Sequence, residues 1–215
     1  MEKFMTTKHQ VHNLIILDES GSMQSIKKSI IQGFNEIVQT VKGISKQYPE
    51  QEHLITLVTF NGLGKKTLHF TDPVEKLEQI DASRYTPDAS TPLYDAMGFS
   101  FAKLRKVLEK VKDYNVLVTV MTDGEENDSK EYTGVAIKKL IEELKLNRWT
   151  FTYIGTDHDV EKFAATISIT NTMRFEKNAE DIEYMFAKEM SARRMYSQKI
   201  RDKKDTNNQY YEEEK

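Results

Sequence analysis

Asp18, Ser20 and Ser22 lie in the stretch Leu14-Ile-Ile-Leu-Asp-Glu-Ser-Gly-Ser-Met23, where one carboxylate and two hydroxyls alternate directly after an apolar run. A hard divalent cation takes oxygen ligands of this kind, and a D-x-S-x-S turn leaves its charge only partly neutralised, so an anionic ligand is still wanted from elsewhere. Further oxygen donors stand in comparable places. Asp123 in Thr122-Asp123-Gly124 follows the apolar run 116–121, and Thr91 precedes Pro92 at the head of a helical pattern. Each has a plainer use. Asp18 and Ser20 can cap a helix starting near Ser22. With Pro92 at the first helical position, Thr91 is expected at the N-cap. Taken jointly with Asp123, the two elements favour a metal site over two separate caps.

Composition narrows what that site serves. The 215 residues suit one α/β domain with a single sizeable core. With 31 basic and 34 acidic residues, a net charge of -3 makes no electrostatic case for nucleic acid or an anionic membrane as partner. Without cysteine there is no disulfide framework, thiolate zinc site or cysteine nucleophile, which fits a reducing, cytoplasmic setting. The N-terminus lacks an apolar signal core, and the apolar runs are far short of a membrane span.

The elements that must position these residues follow from periodicity. Residues 11–17, 54–60, 116–121 and 149–154 are unbroken apolar runs of strand length, as expected of parallel strands buried on both faces. Amphipathic stretches at 22–41, 92–111, 132–146 and 179–200 alternate with them, which predicts helices on both faces of a doubly wound, Rossmann-like sheet. Residues 66–70 follow Asn61-Gly-Leu-Gly64 and are expected to form an antiparallel edge strand by a hairpin; 170–175 is expected as the last strand. The domain is placed at 11–200. Residues 1–10 are read as an N-terminal extension and the polar, charged segment 201–215 as a disordered tail. In such a sheet, ligands bind beyond the carboxyl ends of the strands, where Asp18 and Asp123 fall.

Asp18-x-Ser20-x-Ser22, Thr91 in Ser-Thr-Pro-Leu-Tyr-Asp and Asp123 in Met-Thr-Asp-Gly-Glu-Glu together resemble a von Willebrand factor type A domain with a metal-ion-dependent adhesion site. The resemblance spans roughly residues 11–200. It implies a sheet ordered 3-2-1-4-5-6 with the third strand antiparallel. It also implies a Mg²⁺ site, with Mn²⁺ or Ca²⁺ as substitutes, in which Ser20 and Ser22 bind directly. Thr91 would bind directly or through water, and Asp18 and Asp123 mostly through water. The function implied is not enzymatic: a Glu or Asp of a partner protein completes the coordination, either in a free-standing binding module or in a regulatory or assembly subunit. One departure stands out, since Ala89 and Ser90 occupy positions where the family commonly has glycines. Glu19, Met23, Asn61, Tyr94, Glu125, Glu126 and Asp128 are the expected rim, and the final helix, through Ile182, Met185, Phe186 and Met190, could couple to it.

A phosphotransferase of the haloacid-dehalogenase type is the rival, because Asp18 and Thr122-Asp-Gly-Glu-Glu-Asn-Asp128 mimic its acidic loops. Its general acid/base aspartate is replaced here by Ser20, whose hydroxyl does not shuttle protons near neutral pH. Asn61-Gly-Leu-Gly-Lys-Lys-Thr67 ends like a phosphate-binding loop but leads into a strand, so it reads as a hairpin turn. Asp157-His158-Asp159 follows the 149–154 strand, with Asp157 or Thr156 expected as an N-cap.

Overall fold

The structure, a computed structural model, describes residues 8–212. The N-terminal extension, apart from its last three residues, and the last three residues of the tail lie outside the described residues. Six strands form one sheet in the order β3-β2-β1-β4-β5-β6. They are β1 (His9–Asp18), β2 (Gln51–Asn61), β3 (Gly64–Pro73), β4 (Tyr114–Thr122), β5 (Trp149–Gly155) and β6 (Asn171–Arg174). All neighbours are parallel except β2 and β3, which pair antiparallel through a turn that brings Asn61 opposite Gly64. Gly64 has φ +147, a conformation glycine adopts freely, so the tight connection is built where the backbone permits it.

Five helices cover the sheet: α1 (Lys27–Gln47), α2 (Leu93–Leu108), α3 (Gly134–Lys145), α4 (Val160–Thr166) and α5 (Ala179–Arg201). The apolar strands are unbroken because alternate side chains serve different layers. Leu14, Ile16, Val116, Val118 and Val120 pack under α2, α3 and α4, while Ile15, Leu17 and Met121 pack under α1 and α5. The expected helix from Ser22 begins instead as a 3-10 turn, Gly21–Ile26, before α1 takes over at Lys27. The seven-residue α4 is too short to show a helical period, so it escapes a reading by periodicity.

α5 differs from a plain amphipathic cover. Ile182, Met185 and Phe186 do face the core, and Phe186 presses on α1 at Gly33, where a Cβ would stand 2.0 Å from the ring. Arg193, near the C-terminal end of this helix, is 2 % exposed. It pairs with Glu189 at 2.9 Å and donates to Asn13 Oδ1 and Thr119 Oγ1 in the sheet. The tail is corrected as well. Beyond α5 it turns back along β5 and β6: Thr150 Oγ1 donates to the Thr206 carbonyl, Asn171 Nδ2 donates to that of Asn207, and Tyr210 is 3 % exposed. Composition suggested disorder, but two tyrosines whose hydroxyls reach buried Glu189 give this polar segment something to fold onto.

Candidate metal centre

The register of β1 on β4 sets Leu17 opposite Met121, so the two strands end side by side with Asp18 next to Thr122 and Asp123. Asp18 is closed to solvent. Its Oδ1 accepts from the Ser20 amide at 2.7 Å and its Oδ2 from Thr122 Oγ1 at 2.6 Å. Burial raises its pKa to about 6, against those hydrogen bonds, and Asp123 nearby adds to the rise. A carboxyl held this way gains from a cation beside it.

The hydroxyls are aimed at one another and are not spent as caps. Ser20 precedes the 3-10 turn without a side-chain capping bond, and its Oγ lies 3.1 Å from Ser22 Oγ. Ser22 Oγ donates to Asp123 Oδ1 at 2.6 Å. Thr91 is not an N-cap either, because α2 starts at Leu93 with Pro92 in the cap position and no side-chain cap. The first turn of α2 is instead satisfied from the loop after β4. Glu126 Oε2 accepts from the Tyr94 amide and Ser129 Oγ from the Asp95 amide, while Asp95 accepts from the amides of Lys130, Glu131 and Tyr132. This reciprocal clasp leaves the Thr91 hydroxyl uncommitted near the Asp123 loop; it lies 3.9 Å from where a Cβ on Gly124 would be.

Asp123 Oδ2 is buried and receives no well-aligned hydrogen bond. Its neighbour is the Lys177 ammonium at 2.8 Å, which also contacts Asp157 Oδ2 at 2.6 Å. Burial opposes the charge on Lys177, yet these two carboxylates outweigh it and hold its pKa above the ordinary lysine value. Lys177, in the short link between β6 and α5, had no motif to reveal it. Asp157 proves to be a rim residue at φ 62 and not a cap; Asp159 caps α4 by accepting from the Lys162 amide.

The expected rim divides sharply. Glu19 and Met23 are fully buried, and Asn61 is 4 % exposed, so none of them offers its side chain to a partner. Met23 fills the core under α1. Glu19 accepts from Lys66 Nζ at 2.7 Å and from the Thr86 amide. Burial opposes its charge, but those donors more than offset this and keep its pKa below the usual carboxylate value. Asn61 is used by its own turn, bonding the Glu19 carbonyl and the Leu63 amide. Glu126 is engaged in the clasp, and Asp128 accepts from Ser90 Oγ at 2.6 Å. Tyr94 is half-buried, stacked on Phe163, while Glu125 is exposed beside the site.

Ala89 takes φ 61, so the first of the two positions where the family commonly has glycine does adopt a glycine-like backbone. Its carbonyl accepts from the Gly21 amide at 3.0 Å, and the Asp88 amide donates to the Glu19 carbonyl, zipping this loop to the Ser20 turn.

Among the described residues, no cluster of three or more His, Cys, Asp or Glu side chains could hold a metal. The constellation of Asp18, Ser20, Ser22, Thr91 and Asp123 still fits a hard cation. It presents the hydroxyls of Ser20, Ser22 and Thr91 and two buried carboxylates, of which Asp123 turns Oδ2 to the Lys177 ammonium and to no other donor.

Residues 14–190 match the model of the von Willebrand factor type A domain. The chain belongs to that family. Type A domains are generally non-catalytic modules that bind protein partners, and they often carry a divalent cation at an adhesion site. Solved structures similar to this type A domain include the PilB minor pilin from Streptococcus sanguinis, at TM-score 0.63 and 12 % identity over 88 % of this chain and 62 % of the pilin. The SpRpn10 VWA domain aligns at TM-score 0.55 and 10 % identity, over 83 % of this chain and 94 % of that one. Proximal thread matrix protein 1 from the mussel byssus gives TM-score 0.55 and 12 % identity over 86 % of this chain and 46 % of its own. The type A domain here thus spans about three fifths of the pilin and under half of the matrix protein. No curated protein matches its sequence. No helix among the described residues is long and apolar enough to cross a membrane.

Proposed function

We propose that this chain is a divalent-cation-dependent protein-binding module of a reducing, cytoplasmic compartment. Asp18, Ser20, Ser22, Thr91 and Asp123 would hold Mg²⁺, with Mn²⁺ or Ca²⁺ as substitutes, and a Glu or Asp of a partner protein would complete the coordination. The observation that carries the reading is the pair of hydroxyls on Ser20 and Ser22, 3.1 Å apart and leading directly to Asp123, none of them used as a helix cap. When bound, the cation supplies an electrophilic centre that favours one further anionic ligand.

The residues around it do the rest. Thr122 and the Ser20 amide fix the Asp18 carboxylate, and Ser22 orients Asp123. The loop 86–89 braces the turn that carries both serines. Nothing in the site provides the proton-shuttling aspartate that a phosphotransferase of the haloacid-dehalogenase type would need, since Ser20 stands in that place. The partner could equally be another subunit of a larger assembly, with this chain in a regulatory or assembly role.

Pull-down from native lysate in Mg²⁺, in EDTA and with Asp18→Ala tests the reading. Recovery of a partner only by the wild-type chain in Mg²⁺ is expected; equal recovery in all three would sink it. Release of phosphate from a generic phosphomonoester would favour the rival.

A further inference from the structure

Lys177 gives the candidate metal centre a charge that the five oxygen-bearing residues lack. Its ammonium sits 2.8 Å from Asp123 Oδ2 and 2.6 Å from Asp157 Oδ2, with its side chain 24 % exposed and that of Asp123 fully enclosed. The pairing is built in from three directions. Asp123 ends β4, Asp157 follows β5, and Lys177 stands next to Asn178, the residue that caps α5 by accepting from the Asp181 amide.

Charge decides the consequence. Asp18 and Asp123 are the two carboxylates shut inside the site, and by themselves they would balance a divalent cation completely. With the ammonium included, the loaded site keeps one surplus positive charge. Asp157 contacts the same ammonium, but its side chain is 53 % exposed, and a pair open to water on one side offsets the charge less than the enclosed Asp123 does. A cation arriving without a partner therefore meets a like charge at the carboxylate it needs. A carboxylate arriving with it removes the surplus.

We infer that Lys177 is a specificity-determining residue that makes cation binding and carboxylate binding mutually dependent, weakening the first alone and strengthening the two together. This rests on the metal-site reading above. Reciprocity follows from linkage: whatever factor an acidic ligand adds to cation affinity, the cation adds to affinity for that ligand. It also explains how a site can be near-silent toward Mg²⁺ and still bind a partner through it.

The test uses the full chain and Mn²⁺, followed by loss of the free-ion electron paramagnetic resonance signal, in chloride and again in acetate as the simplest carboxylate. Wild type, Lys177→Met, Lys177→Gln and Lys177→Arg are compared, with circular dichroism confirming the fold of each. Removing a unit charge this close is expected to tighten Mn²⁺ binding in chloride about tenfold in the Met and Gln variants, while Arg stays near wild type. Acetate should raise Mn²⁺ affinity more in the wild type than in the neutral variants. Equal or weaker Mn²⁺ binding by Met and Gln, or an acetate effect as large in them as in the wild type, would overturn the inference while leaving the metal site standing. Failure of every variant to bind Mn²⁺ would overturn the metal-site reading and this inference with it.

Discussion

Glu189 and Arg193 stand one turn apart on α5 and form a 2.9 Å ion pair with neither side chain more than 1 % exposed. The pair is shared with the sheet through Asn13 and Thr119, and with the tail through the hydroxyls of Tyr210 and Tyr211. Removing one partner strands the other charge in the interior, a loss of about 3–5 kcal/mol for buried pairs. Arg193→Met and Glu189→Gln are each expected to lower stability by that order in urea denaturation. Glu189→Gln should also expose the segment after residue 201 to proteolysis, because it weakens the acceptor for both tyrosines. A stability within about 0.5 kcal/mol of wild type would contradict the role given to the pair.

Two glycines of α1 make a paired comparison. A methyl on Gly33 would overlap the Phe186 ring, which is itself 2 % exposed and has little room to retreat, whereas a methyl on Gly43 meets nothing within 4 Å. Overpacking typically costs about 1–3 kcal/mol, and replacing a helical glycine with alanine gains about 0.5–1 kcal/mol. Gly33→Ala is expected to destabilise and Gly43→Ala to stabilise, with opposite shifts in thermal midpoint. Shifts of the same sign would show that α1 and α5 do not meet as described.

His12 and His53 are buried on opposite faces of the sheet, and burial pushes each down to about 4. Both are therefore neutral when folded, while the unfolded chain protonates them near 6.5. The stability they contribute is fully present above about pH 6.5 and is lost as pH falls through about 4. Asp18 acts in the opposite sense: its raised value of about 6 makes its burial less costly once acid protonates it. With two histidines against one aspartate, net stability should fall from pH 7 to pH 4. Unfolding midpoints across that range check this, and His12→Gln should flatten the slope.

Ala89 holds a left-handed backbone that costs an L-residue about 1–2 kcal/mol. Glycine there relieves the strain but returns about 0.4–1 kcal/mol through the freer unfolded chain. Ala89→Gly is expected to raise the thermal midpoint slightly, and Ala89→Val to lower it clearly. A glycine variant less stable than wild type would mean that the methyl makes a contact worth more than the strain.

Much of this architecture is legible from residue pattern because parallel strands bury both faces. Leu14–Leu17 and Val116–Met121 could hardly be anything but interior strands, and Asp18 and Asp123 close them at the same edge of the sheet. The site residues that escaped detection did so for a physical reason. Lys177 sits in a polar link where one lysine resembles any other, and only the fold brings it to Asp123 from 54 positions away. Arg193 carries the charge of a helix end but lies on the inner face of α5, which its distance from Glu189 reveals only once the sheet is beneath it. Glu19, Met23 and Asn61 turn inward although they adjoin Asp18 or a turn, because proximity in sequence says nothing about which way a side chain points. The tail shows the same limit, since composition does not disclose that Tyr210 and Tyr211 have acceptors waiting.

The clasp between α2 and the loop after β4 has a mechanical consequence. Glu126 reaches the amide of Tyr94, and Asp95 gathers the amides of Lys130, Glu131 and Tyr132, so each segment is anchored in the other. Thr91 and Asp123, which flank the clasp, are thereby held in a fixed relation to each other. The serine turn is braced by amide hydrogen bonds to the 86–89 loop and, through Lys66, to β3. On the proposed metal site, substitutions at Asp95 or Glu126, which are not among its five ligands, would thus loosen the grip by unfastening Thr91 from the Asp123 loop.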